Sequence, residues 1–306
     1  MKSFINYSEK IGKNFLLCQG PGGNTSIKTE KKILIKKSGS LLSHSNTKNI
    51  FKQVGLTNIT RHYKDSNIKS NKFDKDLSIE APLHVMLNSK YVLHYHSIAS
   101  IIVSSIFKKE KINSILFNNN ILPIDYIRPG IELAEEVTKL NSKYYFKSFF
   151  LYNHGIIIEG SNIKNLYNKI FYIENIFSKL INYEKLKFNS KEIIKLNQVN
   201  KKVKNPNPEI KYERFNGKYL FPDHSVFFPN FFHKGNDGKN IIPYDNKYFY
   251  FNKELSETEL TYFKTLLTIY TIVNKSKIIN YIDKDVGIKL RNSEDEKLRI
   301  DISKWK

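Results

Sequence analysis

One apolar stretch constrains the fold most strongly: "YVLHYHSIASIIVSSIF", residues 91–107. It falls short of the roughly 18 uninterrupted apolar residues of a membrane span, and it contains two histidines and four serines. The pattern predicts a buried strand followed by an apolar helix in the interior of a globular protein. His94 and His96 lie two residues apart in the predicted strand, so their side chains project to the same side of the sheet.

Helical and strand patterns alternate on both sides of this stretch. They predict one α/β domain at residues 1–196, with a first helix that ends at the glycines and proline of "QGPGGN". After residue 107 we expect a strand at "ILPIDY", a helix after Pro129 and two strands joined at "NHG". A long helix is predicted from Ser161 into the 180s.

The apolar pattern lapses after this domain. Residues 197–210 contain prolines and few apolar residues, and they are predicted to be a linker. Residues 211–306 are predicted to form a smaller α+β extension that completes or caps the domain. Within it, Ser256 and Glu259 have the spacing of a capping box at the start of a helix.

The net charge of +21 raises the alternative of an RNA-binding protein. That alternative predicts salt-sensitive binding to polyanions without a metal requirement. Only five of the 50 basic residues are arginines, and the lysines are dispersed along the chain. Specific base recognition uses the planar arginine side chain, so we expect no nucleic-acid partner. The positive field would instead attract a small anionic substrate.

The N-terminal residues and the cysteine content bear on the compartment. The first 14 residues lack the apolar run of a signal peptide, and no segment is apolar enough to enter a membrane. A single cysteine, Cys18, cannot form an internal disulfide and fits a reducing environment. We therefore expect a cytoplasmic protein without a membrane partner.

His94 and His96 could together bind one metal ion, but many such pairs are satisfied by backbone carbonyl groups. A catalytic zinc site needs a third protein ligand. His154 in "LYNHGIII" is the best candidate, because it lies where a strand ends at a glycine. His84 falls on a helix face, where a structural role is favoured over metal binding.

Two further features could contribute to a site. A helix is predicted at about residues 79–90 with Ser78 as its N-cap, and Glu80 lies in its first turn. Glu80 would serve either as a proton carrier or as a helix N-terminal acid that stabilises the helix dipole. The loop "QGPGGNTS" could direct backbone N–H groups and the side chain of Asn24 towards an anion, or it could be a plain turn. It lacks the lysine of a P-loop, so a nucleotide site is not supported.

Six motifs together carry a family resemblance. In chain order they are "GPGGNTS", "IKKSG", "SIEAPLH", "LHYHS", "IDYIRPGIELAEEV" and "LYNHG". This set resembles the class II aldolase/adducin family over roughly residues 5–185. Together with "FPDHSVFF" at 221–228, it is most similar to the aldolase part of rhamnulose-phosphate aldolase/alcohol dehydrogenase proteins.

The resemblance implies a three-layer α/β/α fold with a central, mostly antiparallel sheet, commonly assembled as a homotetramer. It implies that Zn²⁺ or another divalent metal is bound by three histidines, that a glutamate is the general acid/base and that a tyrosine serves the aldehyde oxygen. It also implies a set of phosphate-binding residues. These residues are His94, His96 and His154 for the metal, Glu80 and Tyr126 for catalysis, and Gly23, Asn24, Ser38, Gly39 and Ser78 for the phosphate.

The expected function is a zinc-dependent lyase that cleaves a ketose phosphate, by a retro-aldol reaction, to dihydroxyacetone phosphate and an aldehyde. A sugar-phosphate epimerase or dehydratase of the same fold is an alternative, as is a non-catalytic adducin-like binding module. Where many sugar-phosphate aldolases have Thr-Pro before the "SG" turn, this sequence has Lys36 and Lys37. A lysine at this turn could meet the phosphate by charge.

Overall fold

A buried strand and an apolar helix form in the 91–107 stretch, as predicted. In the computed structural model, which describes residues 1–65, 73–229, 231–234 and 241–304, they are β4 (Tyr91–Tyr95) and α4 (Ile98–Ile106). Ser97 accepts a hydrogen bond from the backbone N–H of Ser100 and so caps α4. Strand β4 is the middle strand of a seven-stranded sheet in the order β3-β2-β1-β4-β7-β6-β5.

All neighbouring strands of this sheet are antiparallel except β5 and β6. The other strands are β1 (Asn24–Lys28), β2 (Lys32–Lys36), β3 (Phe51–Gly55), β5 (Leu122–Ile124), β6 (Ser148–Leu151) and β7 (Gly155–Gly160). The helices of this region are α1 (Lys2–Lys13), α2 (Leu56–Lys64), α3 (Ala81–Met86), α5 (Lys109–Asn118), α6 (Ile131–Tyr144), α7 (Ile163–Ser178) and α8 (Tyr183–Ile194). The predicted long helix is thus two helices, and β3 with α2 had not been predicted.

Helices cover both faces of the sheet, because successive side chains of a strand point to opposite faces. Leu93 and Tyr95 of β4 belong to the core that also contains residues of α4 and α7. Val92, which directly precedes Leu93 and so points to the other face, belongs to a second core formed with α3 and α6. The predicted three-layer α/β/α fold with a mostly antiparallel sheet is therefore confirmed.

A second, five-stranded sheet forms in the C-terminal part, in the order β10-β11-β12-β9-β8. Its strands are β8 (Gln198–Val199), β9 (Lys202–Lys204), β10 (Phe231–Lys234), β11 (Ile241–Tyr244) and β12 (Tyr248–Tyr250). The accompanying helices are α9 (Pro222–Phe227), α10 (Glu257–Val273), α11 (Lys284–Arg291) and α12 (Glu294–Lys304). These elements confirm the predicted α+β extension, and the Ser256–Glu259 capping box opens α10 as predicted.

The extension packs directly on the first region. Helix α10 contacts α4 and α8, and its apolar residues belong to the same core as β4. The segment predicted to be a linker, residues 197–210, contains β8 and β9, which pair in the second sheet. The division into two units stays a prediction. Within the described residues, none of the helices combines the length and hydropathy that crossing a bilayer requires.

One buried acid of α7 should make stability depend on pH. Burial raises the pKa of Glu174 to about 7, although hydrogen bonds from Ser97 and Tyr183 oppose the shift. A carboxyl with a folded-state pKa above its unfolded value destabilises the protein as pH rises between those two values. We therefore compare the free energies of unfolding of Glu174→Gln and wild type, both metal-free, by urea unfolding. The value for Glu174→Gln minus that for wild type should increase by ~3 kcal/mol as pH rises from about 4.5 to about 7.5.

The matched control is Glu192→Gln, which alters an exposed acid of α8 that pairs with Lys195. Its stability should follow wild type at each pH. Parallel curves for Glu174→Gln and wild type would contradict the assignment.

Candidate metal centre

The two histidines of "LHYHS" meet at the end of the central strand. His94 lies near the end of β4 and His96 directly after it, and both are buried. Their Nε2 atoms are 3.0 Å apart. The shared direction of residues two apart on a strand thus brings two imidazole nitrogens to one point.

His154 joins this pair from the neighbouring strand. The turn between β6 and β7 has Asn153 in the left-handed region, at φ 54°, a conformation that asparagine tolerates better than most residues. A Cβ on Gly155 would lie 2.5 Å from the carbonyl oxygen of Tyr95, so only glycine lets β7 start this close to β4. The His154 ring centroid lies 4.8 Å from that of His94 and 5.2 Å from that of His96.

Glu80, at the start of α3, completes the cluster. It occupies the N-cap position of α3, a place predicted for Ser78, whose Oγ instead accepts the Glu80 N–H at 3.3 Å. Glu80 Oε1 lies 3.0 Å from His94 Nε2 and 3.2 Å from His154 Nε2. One ligand atom from each of Glu80, His94, His96 and His154 lies within 4.8 Å of the others.

In His94 and His96, the inner nitrogen Nε2 faces the cluster and the outer nitrogen Nδ1 faces away from it. The hydrogen-bond partner of Nδ1 indicates where the ring carries its proton. His94 Nδ1 lies 3.0 Å from the carbonyl oxygen of Ile156, and His96 Nδ1 lies 3.1 Å from a carboxylate oxygen of Asp223. Each outer nitrogen therefore carries a proton, which leaves the inner Nε2 free to accept. Two acceptor nitrogens 3.0 Å apart beside the Glu80 carboxylate require a positive centre between them, either a proton or a cation.

The ionisation states of Glu80 and His154 suit a cation. Burial would raise the pKa of Glu80, but His94 and His154 outweigh it and hold that pKa well below its usual range. Burial lowers the pKa of His154 to about 4, although Glu80 opposes the shift. Burial would lower the pKa of His94 as well, yet Glu80 reverses the direction and raises it. Glu80 is therefore ionised and His154 neutral at pH 7, as metal ligands must be.

Three imidazole nitrogens and one carboxylate oxygen are donors that Zn²⁺ and other divalent transition metals accept. The cluster is buried, with exposed fractions between 0% for His94 and 7% for Glu80. Buried ionisable groups of this kind are retained where they are paired or where they coordinate a metal. The residues present therefore fit a divalent metal ion.

Asn24, predicted to contact phosphate, lies beside the cluster. It opposes His94 in the pairing of β1 with β4, and it is fully buried. Both atoms of its side-chain amide make no hydrogen bond to the part of the chain that the structure describes. Gly23 precedes it with φ +68°, and a Cβ there would lie 3.1 Å from the His94 carbonyl oxygen. A buried, unpaired amide next to the histidines is available to a ligand.

The turn with Ser38 and Gly39 is covered by the C-terminal helix. Gly39 has φ +65°, and a Cβ on it would lie 2.7 Å from Ile302 Cγ2 of α12. The Lys36 ammonium group donates hydrogen bonds to the carbonyl oxygens of Pro21 and Ser40, and Lys37 donates to that of Asn49. Lys36 therefore joins the glycine loop to the Ser38 turn through their backbones.

Tyr126 lies in the segment between β5 and α6. Its hydroxyl is buried without a hydrogen-bond partner among residues 1–65, 73–229, 231–234 and 241–304. Burial raises the pKa of Tyr126. The charge of Arg128 opposes this shift, and that of Glu296 in α12 adds to it. Tyr126 is therefore protonated at pH 7.

Four contributors from the C-terminal part were not predicted: Asp223, Tyr262, Glu296 and Arg299. Asp223 reaches His96, Tyr262 donates a hydrogen bond to Asp223 at 2.6 Å, and Arg299 forms ion pairs with Asp223 and Glu296. The motif "FPDHSVFF", which contains Asp223, was the available signal in the sequence. His224 Nδ1 accepts the backbone N–H of Leu220 at 3.1 Å, and His84 Nδ1 lies 2.9 Å from Ser26 Oγ.

The fold and the site define an α/β protein with a buried three-histidine, one-glutamate cluster at the end of its central strand. The sequence model of the family described as "Class II Aldolase and Adducin N-terminal domain" matches residues 4–181. This match covers more than half of the chain, and the chain therefore belongs to that family. The sequence-based assignment is confirmed.

Relatives with similar sequences match part of the chain. An L-fuculose phosphate aldolase of Methanococcus maripaludis (strain C5 / ATCC BAA-1333) is 30% identical over 162 residues, which are 51% of this chain and 82% of the relative. An uncharacterized oxidoreductase of Bacillus subtilis (strain 168), YuxG, is 25% identical over 191 residues. That match covers 55% of this chain and only 28% of the length of YuxG.

Among solved structures, the N-terminal class II aldolase domain of a conserved protein from Thermoplasma acidophilum is similar, with 25% identity and a TM-score of 0.49. The similarity covers 58% of this chain and 91% of that structure.

Metal content tests the cluster directly. Purified wild-type protein loaded with Zn²⁺ and then dialysed should retain about one ion per chain, as a site with three histidine ligands would. His94→Ala should weaken Zn²⁺ binding more than about 100-fold, beyond the usual effect of losing an outer-shell partner. Elemental analysis of dialysed protein and competition with a chromophoric chelator provide the two measurements.

The control is His44→Ala, which alters a histidine in the short 3-10 helix Leu42–His44 and outside the cluster. It should retain the wild-type metal content. Equal Zn²⁺ affinity in His94→Ala and wild type would rule out the cluster as the metal site.

Proposed function

We propose that this chain is a metal-dependent lyase that cleaves a ketose phosphate by a retro-aldol reaction, releasing dihydroxyacetone phosphate and an aldehyde. The observation that carries the proposal is the buried cluster in which Glu80 lies within 3.2 Å of two of the three histidines. Membership of the class II aldolase and adducin family supports it. Two relatives named L-fuculose phosphate aldolase support the substrate class.

The cluster suits this chemistry because cleavage of a carbon–carbon bond leaves negative charge on one carbon. A divalent ion held by His94, His96 and His154 would supply Lewis-acid stabilisation of that charge through the substrate carbonyl oxygen. The hydroxyl group on the other side of the broken bond loses a proton, and the carbon left behind gains one. Glu80, ionised and adjacent to two of the histidines, is placed to carry that proton.

Other residues would position the substrate. Tyr126, protonated at pH 7, would hydrogen-bond the hydroxyl oxygen that becomes the aldehyde oxygen. Asn24 has an unpaired amide with which to bind a substrate oxygen. We assign phosphate binding to the backbone of Gly23 and Gly39, whose turns Lys36 joins, with Ser38 and Ser78 as hydroxyl donors. The net charge of +21 favours an anionic substrate.

A homotetramer with small sugar phosphates as substrates and a cytoplasmic location are further proposals, based on the family resemblance. The same residues would serve a sugar-phosphate epimerase or dehydratase. A non-catalytic binding module would have no need for a buried glutamate beside three histidines.

A substrate panel tests the reaction. We expect at least one ketose 1-phosphate to release dihydroxyacetone phosphate, detected by coupled reduction with NADH, and we expect a chelator to abolish the release. Added Zn²⁺, Co²⁺ or Mn²⁺ should restore it. Conversion of a sugar phosphate without dihydroxyacetone phosphate would instead indicate an epimerase or a dehydratase, and chelator-insensitive turnover would contradict a metal-dependent mechanism.

Glu80→Gln tests the proton carrier. The amide keeps the shape of the side chain but cannot carry a proton, so kcat should fall by about 10² or more. Metal content should stay near one ion per chain if three histidines suffice as ligands. Glu135→Gln on the exposed side of α6 is the control and should retain wild-type kcat. Normal turnover in Glu80→Gln would rule out Glu80 as the proton carrier and leave it the structural role of an acid at the start of α3.

A further inference from the structure

The C-terminal extension contacts the metal cluster through one carboxylate. Asp223 lies in α9, directly after Pro222, and is 1% exposed. Its Oδ2 atom lies 3.1 Å from His96 Nδ1, the nitrogen on the opposite side of the ring from the cluster. A Cβ on Gly22 would lie 2.8 Å from both of these atoms, so the glycine at this position leaves room for the contact.

Two residues fix the Asp223 carboxylate. Tyr262 of α10 donates its hydroxyl hydrogen to Oδ2 at 2.6 Å, and its ring stacks on Phe227 of α9 at 4.8 Å. Arg299 of α12 forms an ion pair with Oδ1 at 2.8 Å. Helices α9, α10 and α12 therefore each contribute a side chain to one buried carboxylate group. A structural salt bridge alone would need only two of these side chains.

The direction of this carboxylate has a consequence for the metal cluster. An acceptor at Nδ1 holds the proton of His96 on that nitrogen and leaves the Nε2 lone pair directed at the other ligands. Outer carboxylates of this kind orient the imidazole ring and increase its strength as a ligand. His94 has only a backbone carbonyl oxygen in the equivalent position, at 3.0 Å.

We propose that Asp223, held by Tyr262 and Arg299, is a positioning residue for His96, and that the C-terminal extension thereby sets the affinity of the cluster for its divalent metal. This inference rests on the proposed function, because it assumes that the three histidines bind a metal. It assigns to residues 211–306 a part in building the site, in addition to covering it.

Zinc affinity of the full-length protein tests the inference without an activity assay. Metal-free wild type and Asp223→Asn are titrated against a chromophoric chelator, and their Co²⁺ complexes are compared by visible absorption. Asp223→Asn should raise the Zn²⁺ dissociation constant by about 10- to 100-fold, the usual effect of removing an outer carboxylate. Its Co²⁺ bands should shift, because the orientation of His96 changes.

A second variant and a control separate positioning from loss of structure. Tyr262→Phe retains the ring against Phe227 but removes the hydroxyl, and it should weaken Zn²⁺ binding in the same direction by a smaller factor. Glu213→Gln, which alters an acid of the same extension that accepts a hydrogen bond from Tyr244, should bind Zn²⁺ as wild type does. Thermal unfolding of all variants establishes that they are folded.

Two failures are distinguishable. If wild type binds Zn²⁺ and both Asp223→Asn and Tyr262→Phe bind it with unchanged affinity and unchanged Co²⁺ spectra, the positioning role is wrong while the metal site stands. If wild type itself binds neither Zn²⁺ nor Co²⁺, the proposed metal-dependent function is wrong, and the positioning role is overturned with it.

Discussion

The approach of two imidazole nitrogens to 3.0 Å beside a buried carboxylate is the interaction on which the rest of the structure depends. Such a cluster is costly to bury, because unpaired charges and lone pairs lose the hydration they have in water. Such a cluster is stable only where a proton or a cation lies between the Nε2 atoms and where the Nδ1 atom of each of these two rings has a hydrogen-bond acceptor. The elements around β4 supply the second condition, through the carbonyl group of Ile156 and the carboxylate of Asp223.

The neighbouring strands make this geometry possible. Strand β7 pairs so closely with β4 that only glycine fits at position 155, the first position of β7. The turn that precedes β7 places His154 beside the other two histidines. On the other side, β1 pairs with β4 and places Asn24 opposite His94. The hydrogen bonds of one sheet therefore bring together His154, the Asn24 amide and the pair of histidines on β4.

The sequence predicted much of this arrangement because its signals were local. Apolar periodicity gave the strand–helix order around residue 94, and the spacing of His94 and His96 gave their shared direction. The order of six motifs gave the family, which the match to residues 4–181 confirms. Helix α3 begins later than predicted, because Glu80 occupies the N-cap position in place of Ser78.

The remaining features depend on contacts between distant parts of the chain. The motif around Asp223 does not show that its carboxylate reaches His96, because that contact requires α9 and α10 to pack on the glycine loop of the first region. Local sequence determined most of the strands and helices and the residue types that can bind a metal. Tertiary structure alone decided which outer groups hold those residues in place, because hydrogen bonds and ion pairs depend on distances in space that spacing along the chain does not encode.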